Sequence, residues 1–312
     1  MNTKRFYCLF PIRGEVMIML KDVLTVYELL DNPHVTGHHV ASLFSHADIE
    51  TVSEPGSASR PGSTDFIKIC YGSGSPVLGI IGQLGGIGAE GKSGLVSDAE
   101  GALTVLACAL HCETHTIDFE GSVIFSTHIC PHAPIIAHDL VDFMGGPLCN
   151  STMMDHFVDE RMEAILSVDT TRGNRVINHK GFAISPTVKE GYILRVSEDL
   201  LDIQQRVTGM LPVVFPITTQ DITPYSNNLY HLNAIMQPSI KTPAPVVGVA
   251  ITSQVIIPGC ATGTNQLLDV EAAARFCCEV IKEYGKGRCK FYDSKEFSTL
   301  VGSYGSMTHL QE

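Results

Sequence analysis

The sequence predicts an α/β fold, a three-layer α/β/α sandwich around a mostly parallel mixed sheet. Three observations predict it. The runs at 77–81, 123–125, 165–168 and 246–251 are apolar without strict alternation, the pattern of strands buried on both faces. Segment 76–134 reads as strand, glycine-rich loop, helix, strand, which is a βαβ unit. With 312 residues, 44% of them hydrophobic and 17% charged, the chain is able to bury a large core.

In chain order, residues 1–18 carry Lys4 and Arg5 and then a mixed stretch broken by Pro11, Arg13 and Glu15, which lacks the continuous apolar core of a signal peptide. They read as a loosely ordered extension, with Met17 and Met19 both available as starts, and 19–312 as a single domain. Leu20, Val23, Leu24, Tyr27 and Leu30 form a helical stripe stopped by Asn32 and Pro33, and Val40, Leu43, Phe44 and Ala47 form a second. Segment 54–63, rich in Gly, Ser and Pro, reads as a hairpin or loop between strands at 49–52 and 66–70. After the run at 77–81 come glycines at 82, 85, 86, 88, 91 and 94, and then a helix from Asp98, expected as its cap, with Leu103, Leu106, Ala107 and Leu110 on one face. Further on, Ser197 is placed to cap a helix bearing Leu200, Leu201, Ile203 and Val207, and Asp269 to cap one bearing Val270, Ala273, Cys277, Val280 and Tyr284.

Composition excludes several classes. A formal net charge of −12, with no clustered basic stripe, disfavours nucleic acid and anionic membrane as partners. No apolar run is long enough to span a bilayer. The 10 cysteines contain no CxxC pair, which argues against a disulfide framework or zinc ribbon and for a reducing cytoplasm.

Several buried runs end in residues able to hold a metal or move a proton: Asp98, the His128, Cys130, His132 run, Asp169, Asp221 and Cys260. In an open α/β sheet these strand ends face one crevice. Each also has a plainer role: Asp98 as a helix cap, His128 as a core histidine, Asp169 and Asp221 as turn residues beside threonines, Cys260 as a small buried residue. His179 and His231 each follow such a strand end. His34, His38, His39 and His46 read as surface groups, and His111 and His115 as cations near a helix end.

From Met19 onward, NPHVTG, THICP, GNRVINHKGFAISPTVKEGYILRVSEDLLDI and PITTQDITPY resemble an uncharacterised bacterial and archaeal family known only as a domain of unknown function. More distantly, the motif order resembles the di-zinc exopeptidases of the glutamyl-aminopeptidase type. That resemblance implies a metal-dependent fold of hydrolases and places Gln83, in GQLGGIG, where a metal-binding histidine is expected. It matches Asp98 in SDAEG to the metal-bridging aspartate, His128 or His132 in HICPH to the paired glutamates, Asp169 in SVDTT to a ligand aspartate, Asp221 to the T-D-A segment and Cys260 in PGCATG to the last histidine. The metal set it implies for Zn2+ or another divalent ion is Asp98, Asp169, Cys260 and one of His128 and His132, with Gln83, His179, Asp221 and His231 on the substrate side. There is no room between Gly88 and Asp98 for that family's dimerisation insert, so the resemblance does not imply a large oligomer of that type, while a homo-oligomer of another type stays compatible.

Three functional readings follow: a metal-dependent hydrolase of an amide bond in a small peptide or amino-acid derivative, with His128 or His132 as base; a metal-independent cysteine enzyme, amidohydrolase or racemase-like, using Cys260; and a non-catalytic relative that binds a small ligand.

Overall fold

The computed structural model describes residues 15–54, 62–83, 95–133, 135–136, 143–144, 146–222, 224–225, 229–256 and 265–311. Helix α1 (Glu15–Leu30) starts inside the stretch expected as an extension and is followed by the short α2 (Gly37–Ala41). The buried residues of α1 include Met19, Val23, Val26 and Leu30, whereas Leu24 is 47% exposed, so the stripe is turned from the one expected. Its rotation brings Asp22 inward.

Strands β1 (Ala47–Glu54) and β2 (Gly62–Gly72) form an antiparallel pair, in register from Ala47↔Ile69 to Glu54↔Gly62, as the hairpin pattern predicts. The next strand, β3 (Val77–Gly82), is all but fully buried. The chain then turns through a 3-10 helix, Ser97–Ala99, into α3 (Glu100–Thr114). Asp98 is therefore not the cap of α3: Ala99 holds that position, without a side-chain cap, because the start of the helix is packed against the sheet. Gly101 makes that packing close, since a Cβ there would lie 2.5 Å from the Gln83 carbonyl oxygen and 2.6 Å from that of Val168.

Strand β4 (Ser122–Ile129) completes the βαβ unit, and two short strands, β5 (Ile135–Ile136) and β6 (Phe143–Met144), pair outside the main sheet. Helix α4 (Asn150–Phe157) leads to β7 (Ala164–Thr170), and β8 (Gly181–Ile184), β9 (Val188–Lys189) and β10 (Tyr192–Ile193) follow. Helix α5 (Glu198–Thr208) is capped as expected: the Leu200 amide donates to Ser197 Oγ, and Gly209, at φ 70°, closes its other end. A second small pair, β11 (Pro224–Tyr225) and β12 (Leu229–Asn233), and a 3-10 helix, Ala234–Ile240, precede β13 (Val246–Thr252). Helix α6 (Leu267–Gly285) begins two residues before Asp269, so that residue lies inside the first turn instead of capping it. Helix α7 (Ser294–Tyr304), capped by Asp293, ends the regular structure.

The main sheet has the order β1-β2-β4-β3-β7-β13-β9-β10, with β8 also on β13. Its centre, β4-β3-β7-β13, is parallel throughout, as the four apolar runs predict, and antiparallel strands flank it. Helices α1, α3, α5 and α6 cover one face, where Leu78, Ile80, Phe125, Leu166 and Val249 meet Leu103, Leu106 and Val280. The other face carries α4 and the 234–240 helix over Ile81, Ile124 and Ile165. Alternate residues of each central strand thus enter different cores, which is why these strands show no polar face in the sequence. Among the described residues no helix is long and apolar enough to cross a membrane.

Candidate active site

The four parallel strands end at one edge, and the sheet register sets what stands there. Ile81 pairs with Ser126 and Gly82 with Val168, and continuing both registers sets His128, Gln83 and Asp169 in one row on the α4 side of the sheet. Gln83 occupies the middle of that row. Strands spaced by roughly 4.8 Å then leave the His128 and Asp169 backbones about 10 Å apart. Gln83 is buried and committed to the protein: its Nε2 donates to Ser167 Oγ at 2.5 Å and to the Ile235 carbonyl at 2.7 Å. Ser167 Oγ donates to the same carbonyl at 2.6 Å, tying β3 and β7 to the 234–240 helix.

Asp169 ends β7 and is 2% exposed; its Oδ1 accepts the Thr170 amide at 2.7 Å. Burial pushes its carboxyl up to about 8, against the Thr170 hydrogen bond and with the Asp98 charge adding to the rise. Asp98, in the 3-10 turn, is buried as well. Two residues beyond it, at the first position of α3, stands Glu100, 1% exposed, whose Oε1 accepts the Gln266 amide at 2.8 Å and so joins the starts of α3 and α6. Burial pushes Glu100 to about 8 too, with the charges of Asp269 and Asp98 reinforcing it. Neither Glu100 nor Asp169 has a cationic partner among the described residues. Asp98, Glu100, Asp169 and Asp269 thus form a chain of mutually repelling carboxyls at the edge, and among the described residues Thr170 Oγ1, Thr252 Oγ1, Asp269 Oδ2 and the side-chain amide of Asn265 are buried without hydrogen-bond partners.

The sequence-derived residues distribute as follows. His179 approaches the group from the α6 side, where it and Lys180 lower the Asp269 carboxyl against a larger rise from burial. His128 lies between Phe66 and Phe157 at ring separations of 6.0 and 5.4 Å, with Nδ1 2.9 Å from Thr64 Oγ1, and burial lowers it to about 3. His132 is exposed in the turn after β4, and His231 is exposed on β12. Asp221 holds Arg175, accepting from its Nη2 at 2.7 Å and Nε at 3.2 Å on Oδ1, while its Oδ2 has no hydrogen-bond partner among the described residues. Cys260 lies outside the described residues.

Sequence reasoning missed Glu100. A glutamate in a first helical turn reads as a surface group complementing the helix dipole; the one signal against that was its place inside SDAEG, beside Asp98. It also missed Asp22, His111 and His115, the one group of three metal-type donors within 4.8 Å of one another among the described residues. That group lies elsewhere, toward the far end of α3.

Residues 57–312 match the family model described as a protein of unknown function, DUF1177. The chain belongs to the DUF1177 family. No curated protein sequence matches it. Its fold is shared with solved structures at low identity. The glutaminyl cyclase of an Acidobacteriales bacterium is 11% identical, with 92% of this chain and 100% of that one covered and a TM-score of 0.52. The leucyl aminopeptidase of Trypanosoma cruzi is 11% identical, with 87% and 64% covered and a TM-score of 0.54. The bottromycin maturation enzyme BotP is 12% identical, with 84% and 70% covered and a TM-score of 0.51. DUF1177 therefore has the α/β fold of the aminopeptidase and glutaminyl cyclase class, as the distant resemblance implies.

Proposed function

We propose that this DUF1177 chain is a divalent-metal-dependent hydrolase that cleaves an amide bond in a small peptide or amino-acid derivative. One observation carries the proposal: Asp169 and Glu100 are buried beside Asp98 with carboxyls at about 8, and no cation among the described residues faces Asp169 or Glu100. A donor set of this kind fits a divalent cation, whose charge offsets both the burial and the mutual repulsion. The hydrolase fold adds the reaction class as an analogy.

Asp98 and Asp169 would hold Zn2+ or another divalent ion, with Cys260 and one of His128 and His132 as further donors. Bound there, the ion would supply Lewis-acid activation of water and of the scissile carbonyl. The other steps fall to the chain itself. Glu100 is held through Oε1 by the Gln266 amide, so Oε2 is the atom on which it gains and loses a proton, in the range useful for general acid and base work at neutral pH. His128, neutral well below pH 7, suits a ligand better than a base. On the substrate side, His179 stands at the α6 wall, Gln83 stiffens the floor, and Asp221 positions the exposed Arg175, whose guanidinium suits a carboxylate on the substrate. His231 would lie further out, on β12.

The test is hydrolysis of a panel of aminoacyl amides and short peptides by the chain loaded with Zn2+, Mn2+ or Co2+, against Asp169→Ala loaded in the same way. Turnover that needs metal and disappears in the variant is expected. Turnover that survives chelation and Asp169→Ala but is abolished by alkylation at Cys260 would transfer the reaction to the thiol.

A further inference from the structure

Asp22, His111 and His115 come together from two elements far apart in sequence. Asp22 lies on the inner side of α1, His111 in the last turn of α3, and His115 at the C-cap four residues on, its amide donating to the His111 carbonyl. His111 Nδ1 lies 2.8 Å from Asp22 Oδ2, and the two imidazole rings stack with centroids 4.5 Å apart and planes 25° from parallel. All three offer a ligand atom within 4.8 Å of the other two. At 1.5 Å per residue, His111 stands about 15 Å along α3 from Gly101, so this group is separate from the carboxylates of the strand edge.

We propose that Asp22, His111 and His115 form a second divalent-cation site, of the zinc type, that clamps α1 onto α3. The donor chemistry points to that class. Two imidazoles and one carboxylate suit Zn2+ and its late first-row neighbours and are poorly matched to Ca2+ or Mg2+, which take oxygen ligands. The geometry is near what ligation requires. Donors on a tetrahedral ion with bonds of about 2.0 Å are roughly 3.3 Å apart, so an ion replacing the His111–Asp22 contact opens it by about half an ångström. His115 is already oriented for this: its Nδ1 lies 2.8 Å from Thr114 Oγ1, which leaves Nε2 as the ligand atom and gives the ring the outer-sphere support that fixes a metal-binding histidine. Access is provided as well. A cavity of about 420 Å³, lined by Cys112, Glu113, Thr114 and His115 among others, reaches the group at His115.

Such an ion would act on the packing of α1. The helix lies before the stretch matched by the family model, and it packs toward α3 and α6 through Met19, Val23, Val26 and Leu30. An ion with ligands on both helices adds a link that chelation removes.

The experiment uses the full chain, stripped of metal and titrated with Zn2+, in wild-type form and as His115→Ala. Because His115 is half-buried at the end of α3, the variant keeps the His111–Asp22 contact. Wild type is expected to bind one more equivalent than the variant, or to bind that equivalent at least about tenfold more tightly. Amide exchange in 19–30 and 108–116 is expected to slow on Zn2+ addition in wild type only. The exchange readout on wild type stands even if the variant does not fold. Equal stoichiometry and affinity in the two proteins, or exchange in those segments that ignores Zn2+, would overturn the site.

Discussion

In the proposed site, Asp169 and Glu100 are two carboxyl groups that the fold keeps from water. Their ordinary values of 3.8 and 4.5 rise to about 8, so the folded, metal-free chain binds more protons than the unfolded one between those limits. The sign follows: the stability these groups contribute is full below about pH 4 and is lost as pH rises through about 8. Thermal unfolding of the chelated chain is therefore expected to shift to lower temperature between pH 5 and pH 9, and Glu100→Gln with Asp169→Asn should flatten that slope. A slope unchanged in the double variant would place the protons elsewhere. Asp169→Asn alone is expected to abolish metal-dependent turnover while the far-ultraviolet spectrum stays that of the wild type, since the side chain ends a strand and fills no apolar core. Asp169 was legible in the sequence because a polar residue ending an apolar run is conspicuous. Glu100 was not, because only the packing of α3 on the sheet buries it. Asp22, His111 and His115 were missed for a related reason: the i,i+4 histidines are visible, but their carboxylate comes from 89 residues earlier and faces inward only through the actual rotation of α1.

At the scale of elements, the start of α3 is the joint that sets the site. Gly101 lets the helix meet the ends of β3 and β7 backbone to backbone, and Gly82 meets Gly101 in turn, with a would-be Cβ 2.6 Å from its carbonyl oxygen. A methyl group at Gly101 has nowhere to go. Gly101→Ala is expected to destabilise the chain by about 1–3 kcal/mol and to reduce turnover further than stability alone accounts for, because Asp98 and Glu100 move with the helix. Chemical denaturation and steady-state kinetics on the same preparation check both, and a variant with wild-type stability would show that the joint is looser than described. The apolar runs made the four parallel strands legible, since burial on both faces leaves few other interpretations. Helix starts were read less well. Asp98 and Asp269 look like caps by residue type, yet Asp98 lies one residue before the α3 cap position, in the preceding 3-10 turn, and Asp269 three residues beyond that of α6.

For the whole molecule, the described residues form one large apolar cluster on the sheet face under α1, α3, α5 and α6, and two smaller ones, one of them under α4 and the 234–240 helix on the other face. Amides of β3 and β7, central and covered on both faces, are expected to exchange most slowly, and those of the edge strand β1 far faster; equal protection of β1 and β7 would contradict the strand order. The same architecture gathers the strand-end carboxylates at one edge and leaves the histidine cluster toward the other, so the two proposed cation sites separate experimentally. The most direct measurement is calorimetry of Zn2+ binding to His115→Ala, which isolates the strand-edge site, at pH 7 in two buffers of different ionisation enthalpy. About one equivalent should bind with net release of roughly one to two protons, because the cation displaces those held by Asp169 and Glu100. Binding without proton release, or the same release after Asp169→Asn and Glu100→Gln are added, would contradict a cation site at these carboxylates.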